Sequence, residues 1–433
     1  MKKPRILFVA MQASPHAARW VNMIADQGWD LHLFPVNSMP LLPEFRDITV
    51  HQPWLTVRPR ATLAAAERFA RRHVFNIKGD QEPLSGSVVE RSIYPIPMLT
   101  RFARVANGFK TPLGTSGAQA PLAYGPHVLA RLIRKLKPDL IHSMEFQHCG
   151  YNVLEAKKII GEDKFPKWLA TNWGSDIFYY RHFPSHEKQI RELLSSIDYY
   201  SCECHRDVEI AQSLGMGAEV LPVKPNSGGF DLPAVKQLRS LRPPSKRRLI
   251  MVKGYQHFAG RALVALDALA KASDALTGYK ILVFSPSEPI YLRVDELRKY
   301  YDLDIEVLQY ADHGRMLRLF AAARCYLGVS VSDAISTSML EAMALGAFPI
   351  QTNTSCCEEW IQDGKTGFSI PPDDVGVIAD RIREALSNDE LVDAAAEMNW
   401  TLVSNRLDAS VLKREVVRDY RNLIERHPEE SSR

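Results

Sequence analysis

The sequence predicts an α/β protein of two domains, each built on a parallel sheet. Three observations carry this. Short apolar runs alternate with helical-period segments in two separate stretches, as buried parallel strands and their crossover helices require. No run approaches the ~20 apolar residues of a membrane-spanning helix. At 433 residues the chain exceeds one ordinary core. Apolar residues make up 46% and charged residues 24%, enough for a core without disulfides or metals.

The first run, Ile6-Leu7-Phe8-Val9-Ala10, is too short for a signal-peptide core and reads as a buried strand over 5–11. Ser14 suits the cap of a following helix, Pro15 its first position and Gly28 its left-handed stop, before a second strand at Asp30–Pro35. Such a helix points its amino end at the strand's carboxyl edge, where α/β sheets bind ligands. Residues 37–125, rich in Pro and Arg, break the alternation and read as an irregular insertion. Helices near 126–136, 150–160, 186–195 and 205–214 then alternate with strands at 138–142, 167–171, 199–203 and 219–222. Pro233 to Arg248 reads as a linker. A second set follows, with strands at 248–252, 280–285, 305–308, 325–329 and 348–351 and helices at 261–272, 314–322, 337–345 and 374–387. A last amphipathic helix spans 408–425. The expected division is 1–235, 248–405, and a terminal helix and tail at 406–433.

Composition excludes several classes. Six scattered cysteines lack both CxxC spacing and the density of a secreted scaffold, and read as reduced cytoplasmic thiols. A net charge of +4 gives no footprint for nucleic acid. No G-x-G-x-x-G follows the first strand, which disfavours a dinucleotide-dependent dehydrogenase. Between Arg58 and Lys110 ten basic residues stand against four acids, with Phe69, Phe75, Tyr94, Phe102 and Phe109 interleaved. That run reads first as a solvated face. Its second reading is a peripheral contact with anionic lipid at the inner membrane face, or a hold on a phosphorylated acceptor.

The informative block runs from Ser330 to Ile350: a buried strand, a polar loop with Asp333, a hydroxyl-rich helix start at Ser336-Thr337-Ser338, and a stop at Gly346. Those hydroxyls and the unpaired first-turn N–H groups suit phosphate oxygens. Glu341, four residues past Thr337, shares its face and tilts toward the same end. A carboxylate there suits neutral hydroxyls, such as those of a ribose or hexose, better than phosphate. His142, Glu145 and His148 form another polar cluster, read as hydrogen-bonded structural groups ahead of a metal site.

Asp333 and Glu341, seven residues apart and followed by Ala-Met-Ala-x-Gly-x-x-Pro, resemble the acid-x7-Glu signature of retaining GT-B glycosyltransferases of the group 1, family 4-like type. The segment Glu359-x4-Gly364-x-x-Gly367 resembles that family's next stretch, which precedes a short apolar strand. The resemblance implies two Rossmann-like domains facing across a cleft, with the terminal helix crossing back to the first. It implies a nucleotide-sugar donor on the C-terminal domain, a saccharide or glycolipid acceptor on the N-terminal one, retention at the anomeric carbon, and no metal or other cofactor. By the same resemblance Lys253 and Arg261 are candidates for the donor diphosphate, Tyr310 to His313 lie where the family's backbone meets the base, and Ser14 shapes the first loop. Asp176, in Thr171-Asn172-Trp173-Gly174-Ser175-Asp176, is placed to orient an acceptor hydroxyl; relatives often carry His where this chain has Trp173. Surface polysaccharide or glycolipid synthesis is the expected setting. Another GT-B sugar-nucleotide enzyme, such as an epimerase, and a non-catalytic GT-B subunit remain open at this stage.

Overall fold

The computed structural model of the chain describes residues 3–36, 39–52, 87–92, 112–113, 118–119, 125–239, 242–309 and 311–425. It divides into two units. The first comprises Met1–Cys202, Val208–Gly228 and Lys413–Arg433; the second comprises Glu203–Asp207 and Gly229–Leu412.

The first unit is organised by strands β1 (Arg5–Ala10), β2 (Asp30–Pro35), β3 (Ile48–Gln52), β4 (Val88–Ser92), β7 (Leu140–Met144), β8 (Lys167–Thr171), β9 (Tyr199–Ser201) and β10 (Glu219–Val220). The two-residue strands β5 (Pro112–Leu113) and β6 (Ala118–Gln119) pair only with each other. The eight-stranded sheet has the order β10-β9-β8-β7-β1-β2-β3-β4 and is parallel throughout. Its order reverses between β1 and β7, the point where parallel α/β sheets open a crevice at their carboxyl ends. Residues 37–125, expected to be irregular, supply β3 and β4 to this sheet. Short polar-interrupted strands such as Ile-Thr-Val-His-Gln carry too little apolar signal to stand out among prolines.

The opening helix is shorter than expected. It runs Pro15–Asn22 under a Ser14 cap, and a separate 3-10 turn at Ala25–Gln27 leads to Gly28 at φ 71°. The terminal helix Ala409–Glu425 buries Val416, Val417, Tyr420 and Leu423 in the core around β1. A buried polar chain joins it to the sheet. Trp20 Nε1 donates to the Tyr420 hydroxyl at 3.0 Å, which lies 2.6 Å from His142 Nδ1, and His142 Nε2 lies 2.7 Å from Thr171 Oγ1. Complete burial holds His142 at a pKa of about 3, so its ring is neutral in the fold.

The second unit carries β11 (Leu249–Lys253), β12 (Lys280–Phe284), β13 (Ile305–Leu308), β14 (Ala323–Gly328), β15 (Phe348–Thr352) and β16 (Phe368–Ile370) in the parallel order β13-β12-β11-β14-β15-β16. Its reversal lies between β11 and β14. Two helices here escaped the sequence reading. Glu288–Tyr301 buries only Ile290, Val294 and Leu297, while Leu292 and Tyr300 face solvent and blur the stripe. Asp389–Arg406, capped by Asn388, buries Val392, Ala395, Ala396, Asn399 and Val403 and shows little amphipathic contrast.

The expected linker is also part of this unit. Asp231 caps a helix at Leu232–Leu238, and the 5%-exposed Arg247 donates to the carbonyls of Arg242, Ala323 and Leu345 at 3.0–3.2 Å. A guanidinium spent on three backbone carbonyls looks like a surface charge when composition alone is read. Among the described residues no helix is long and apolar enough to cross a membrane.

Candidate functional site

The C-terminal unit concentrates polar groups where β11 and β14 end, at its reversal point. Lys253 closes β11. Its Nζ lies 3.6 Å from Asp333 Oδ2, 3.5 Å from Ser336 Oγ and 4.8 Å from the Tyr255 ring centre. Burial works against its charge, but Asp333 beside it outweighs that penalty and holds the ammonium above the ordinary lysine pKa. The loop from Gly254 to Arg261 folds tightly against the loop after β14. Arg261 N–H donates to the Val329 carbonyl at 2.9 Å, and Val331 N–H to that of Ala259 at 2.8 Å. Two glycines make this approach possible: a Cβ at Gly254 would meet the Phe284 carbonyl, and one at Gly260 would collide with the Tyr255 backbone.

The Ser330–Ser336 loop is anchored from below. Thr352 Oγ1 accepts the Ser330 N–H at 3.2 Å, Thr354 Oγ1 donates to the Ser330 carbonyl at 2.5 Å, and Arg206 donates to the carbonyls of Asp333 and Thr354 at 2.9 Å each. Asp333, half-buried, takes the Ala334 N–H at 3.0 Å with one oxygen and faces Lys253 with the other.

Ser336 departs from expectation. It caps the helix Thr337–Ala344 by position, but its hydroxyl makes no cap bond; it is 1% exposed and sits 3.1 Å from the Tyr326 hydroxyl. Its contribution is to pin the loop from inside, which leaves the first-turn N–H groups without a side-chain cap. Thr337 and Ser338 are half-buried in that first turn. Glu341, 6% exposed, meets His313 at 2.7 Å between Oε1 and Nε2; His313 opens the helix His313–Ala322 beneath the Asp312 cap.

Arg261 lies beside this group but turns inward, its NH1 donating to the carbonyls of His257, Phe258 and Gly260. Half-buried His257 accepts the Ala259 and Gly260 N–H groups through Nδ1; burial first, then the Lys253 charge, push its pKa down. The structure thus brings Lys253, Asp333 and Ser336 together at the start of the helix that carries Glu341, with Arg261 as a loop-stiffening cation. Tyr310 lies outside the described residues. So does most of the basic run 58–110, apart from Ser87–Ser92.

Tyr326 and Arg206 went unread as functional supports, and His313 was read only as the end of the stretch whose backbone meets the base. Only His313 had a local signal, an Asp-His pair at a helix start. Arg206 and Tyr326 matter through folding that a linear pattern does not display.

In the N-terminal unit, Ser14 accepts the Ala17 N–H at 3.3 Å, an ordinary cap. Asp176 also departs from expectation. It is 3% exposed, and its two oxygens take the backbone N–H groups of Trp173 at 2.7 Å and Phe146 at 3.2 Å, so it organises two loops rather than facing a ligand. The sequence cluster His142, Glu145, His148 separates: His142 turns into the core, while Glu145 and His148 pair at 3.2 Å.

All six cysteines are buried thiols outside any disulfide. Cys204 and Cys356, far apart in sequence, lie with their sulfurs 3.0 Å apart, near Glu359. Those three are the one group of metal-capable side chains found among the described residues, and neither Asp333 nor Glu341 belongs to it.

Residues 262–399 match the family described as "Glycosyl transferases group 1", and residues 126–203 match "Glycosyl transferase 4-like". No curated protein matches the chain. Among solved structures, sucrose-phosphate synthase from Thermosynechococcus elongatus is similar over 98% of this chain and 100% of its own, at 13% identity and a TM-score of 0.66. HepE from Anabaena, solved with UDP and glucose, is similar over 97% of this chain and 100% of its own, at 14% identity and 0.63. The pneumococcal O-GlcNAc transferase GtfA, solved with UDP and GlcNAc, covers 98% of this chain and 99% of its own, at 11% identity and 0.63. Identities this low speak for the fold, and the fold is shared end to end.

Proposed function

We propose, from the premise that this chain is a group 1 glycosyltransferase with the GT-B fold, that it moves a hexosyl group from a nucleotide-sugar held by its C-terminal unit to a saccharide or lipid-linked hydroxyl, with retention of anomeric configuration. The observation that carries the donor assignment is the Lys253–Asp333–Ser336 group beside the uncapped helix Thr337–Ala344. A diphosphate would receive the Lys253 ammonium and the first-turn N–H groups, both fixed before it arrives. Asp333 and Glu341 would take sugar hydroxyls, which a carboxylate accepts without the repulsion it would feel from phosphate. Charge developing on the leaving diphosphate would then be stabilised by Lys253 and the helix end, with Arg261 adding field from its loop. In this reading the step needs no metal.

UDP is the first nucleotide to test, because the similar HepE and GtfA structures hold it. UDP is expected to raise the melting temperature more than GDP or CMP, since a ligand selective for the folded state stabilises it by mass action. Transfer from the matching UDP-sugar is expected to survive EDTA. No stabilisation by any of the three nucleotides would remove the donor assignment, and loss of transfer in EDTA would remove the metal-free step. The acceptor reading, a surface polysaccharide or glycolipid precursor, and a membrane contact through residues 58–110 belong to the same proposal. A subunit without activity would bind nucleotide yet leave the sugar-nucleotide intact.

A further inference from the structure

The N-terminal unit carries a second prepared constellation at its own reversal point, where β7 ends beside β1. Glu145, the residue after β7, has φ 87° and ψ 148°, a region that side chains other than glycine rarely enter and that costs on the order of 1–3 kcal/mol. Its surroundings enforce it. The Glu145 N–H donates to the Thr171 carbonyl at 2.9 Å, and its carboxylate accepts the N–H groups of Gln147 at 2.7 Å, His148 at 2.7 Å and Cys149 at 3.2 Å. The chain then makes a single π-turn, Phe146–Gly150, a form frequent at functional positions. Asp176 clamps that turn from the β8 side through the Phe146 N–H, and Gln147 Nε2 donates back to the Asp176 carbonyl at 2.8 Å.

The product of this construction is the placement of one imidazole. His148 Nδ1 lies 3.2 Å from Glu145 Oε1, and the two side chains are 15% and 10% exposed. Nδ1 is therefore occupied, while Nε2 has no partner among the described residues. Burial opposes the charge of each group, but each partner more than offsets it: Glu145 is held below the usual carboxylate range and His148 above the usual histidine range. The other titratable groups facing this turn include Asp176, Cys149, Tyr151 and, hydrogen-bonded to Tyr151, His186. On the helix Pro15–Asn22 after β1 and the loop after β8, the rings of His16 and Trp173 lie 5.8 Å apart.

We propose that the Glu145–His148 pair is the saccharide-binding group of the N-terminal unit, with His148 Nε2 hydrogen-bonding a hydroxyl of the acceptor sugar. The inference rests on the glycosyl-transfer reading above for what the saccharide is used for. A neutral polyol fits better than an anion, because the carboxylate already balances the imidazolium and leaves no surplus charge. It fits better than a metal, which would require a third ligand. His148 thereby takes the acceptor-side role that sequence reading had placed on Asp176, and Asp176 becomes the residue that positions its loop.

The test uses the full chain with ¹⁵N-labelled histidine, titrated separately with maltose, N-acetylglucosamine and methyl α-D-mannoside. The His148 ring signal is assigned by its loss in His148→Gln. At least one sugar is expected to move that signal, and its affinity is expected to fall about tenfold in His148→Gln, the loss of one hydrogen bond of roughly 1.4 kcal/mol. UDP affinity, read by calorimetry on the same variant, is expected to stay within about twofold. No histidine ring signal moved by any of the three sugars overturns the inference even if the variant fails to fold, and so does equal sugar affinity in a folded variant. If instead UDP fails to bind the wild type, the donor assignment falls while the sugar titration still reads the pair.

Discussion

Glu341→Gln is expected to lower kcat/KM for sugar transfer roughly 100-fold while moving the melting temperature by no more than about 3 °C. The substitution keeps the shape and one acceptor oxygen, so the 2.7 Å contact with His313 can persist. It removes the charge and the second acceptor. A carboxylate can accept two sugar hydroxyls in charge-assisted bonds, each worth about 1.5–3 kcal/mol, and one such bond already accounts for a factor of ten or more. The Glu341 carboxylate meets His313, which is half exposed, so the bond that the substitution perturbs is open to water and stability is expected to change little. Steady-state kinetics beside a thermal melt separates the outcomes: unchanged kcat/KM discards the role, and a large loss of stability reassigns Glu341 to structure.

Tyr420→Phe is expected to cost about 2–4 kcal/mol of unfolding free energy, because it strands two buried groups, Trp20 Nε1 and His142 Nδ1, at once. The same cluster sets a pH response. His142 is held at about 3 in the fold against about 6.5 when exposed. Between those values the unfolded chain binds a proton that the folded chain refuses, so this residue's contribution falls as pH drops from about 6.5 toward 3 and is constant above that window. His51, pushed to about 4 first by burial and then by His32, acts in the same direction. At pH 4.5 the His142 part amounts to about 3 kcal/mol. Urea unfolding at pH 7.5 and 4.5 checks this, and His142→Gln is expected to flatten the acid limb. An acid limb as steep as in wild type would show that other groups carry it.

What the sequence made legible follows from where its signals are local. β1 and β11 carry continuous apolar runs, β7 and β14 are mostly apolar with His142-Ser143 and Arg324 set among them, and the Asp333–Glu341 block carries strand, loop, helix start and glycine stop within a few turns of chain. Both readings therefore agree there to within a residue or two. The helix Asp389–Arg406 was hidden because Ala395 and Ala396 pack closely without a strong apolar stripe. Residues 233–248 passed for a linker because the role of Arg247 depends on carbonyls from Ala323 and Leu345, far along the chain.

The site divides in the same way. Residue types at the helix start were readable, but the direction of each side chain was not. Ser336 turns inward to Tyr326, Arg261 folds onto its own loop, and Asp176 spends its oxygens on backbone N–H groups. Each of these depends on a partner contributed by another loop or strand. The Glu145–His148 pair was visible as letters, but its backbone geometry and the unoccupied Nε2 were not.

The donor site stands on Lys253 as the fixed cation that meets a diphosphate. Calorimetric titration of UDP into wild type and Lys253→Met measures this directly. One site per chain is expected in wild type, with affinity at least about tenfold weaker in the variant, since a charge-assisted bond to phosphate contributes roughly 1.5–3 kcal/mol. Equal affinity in the two proteins would contradict the account and place the diphosphate elsewhere.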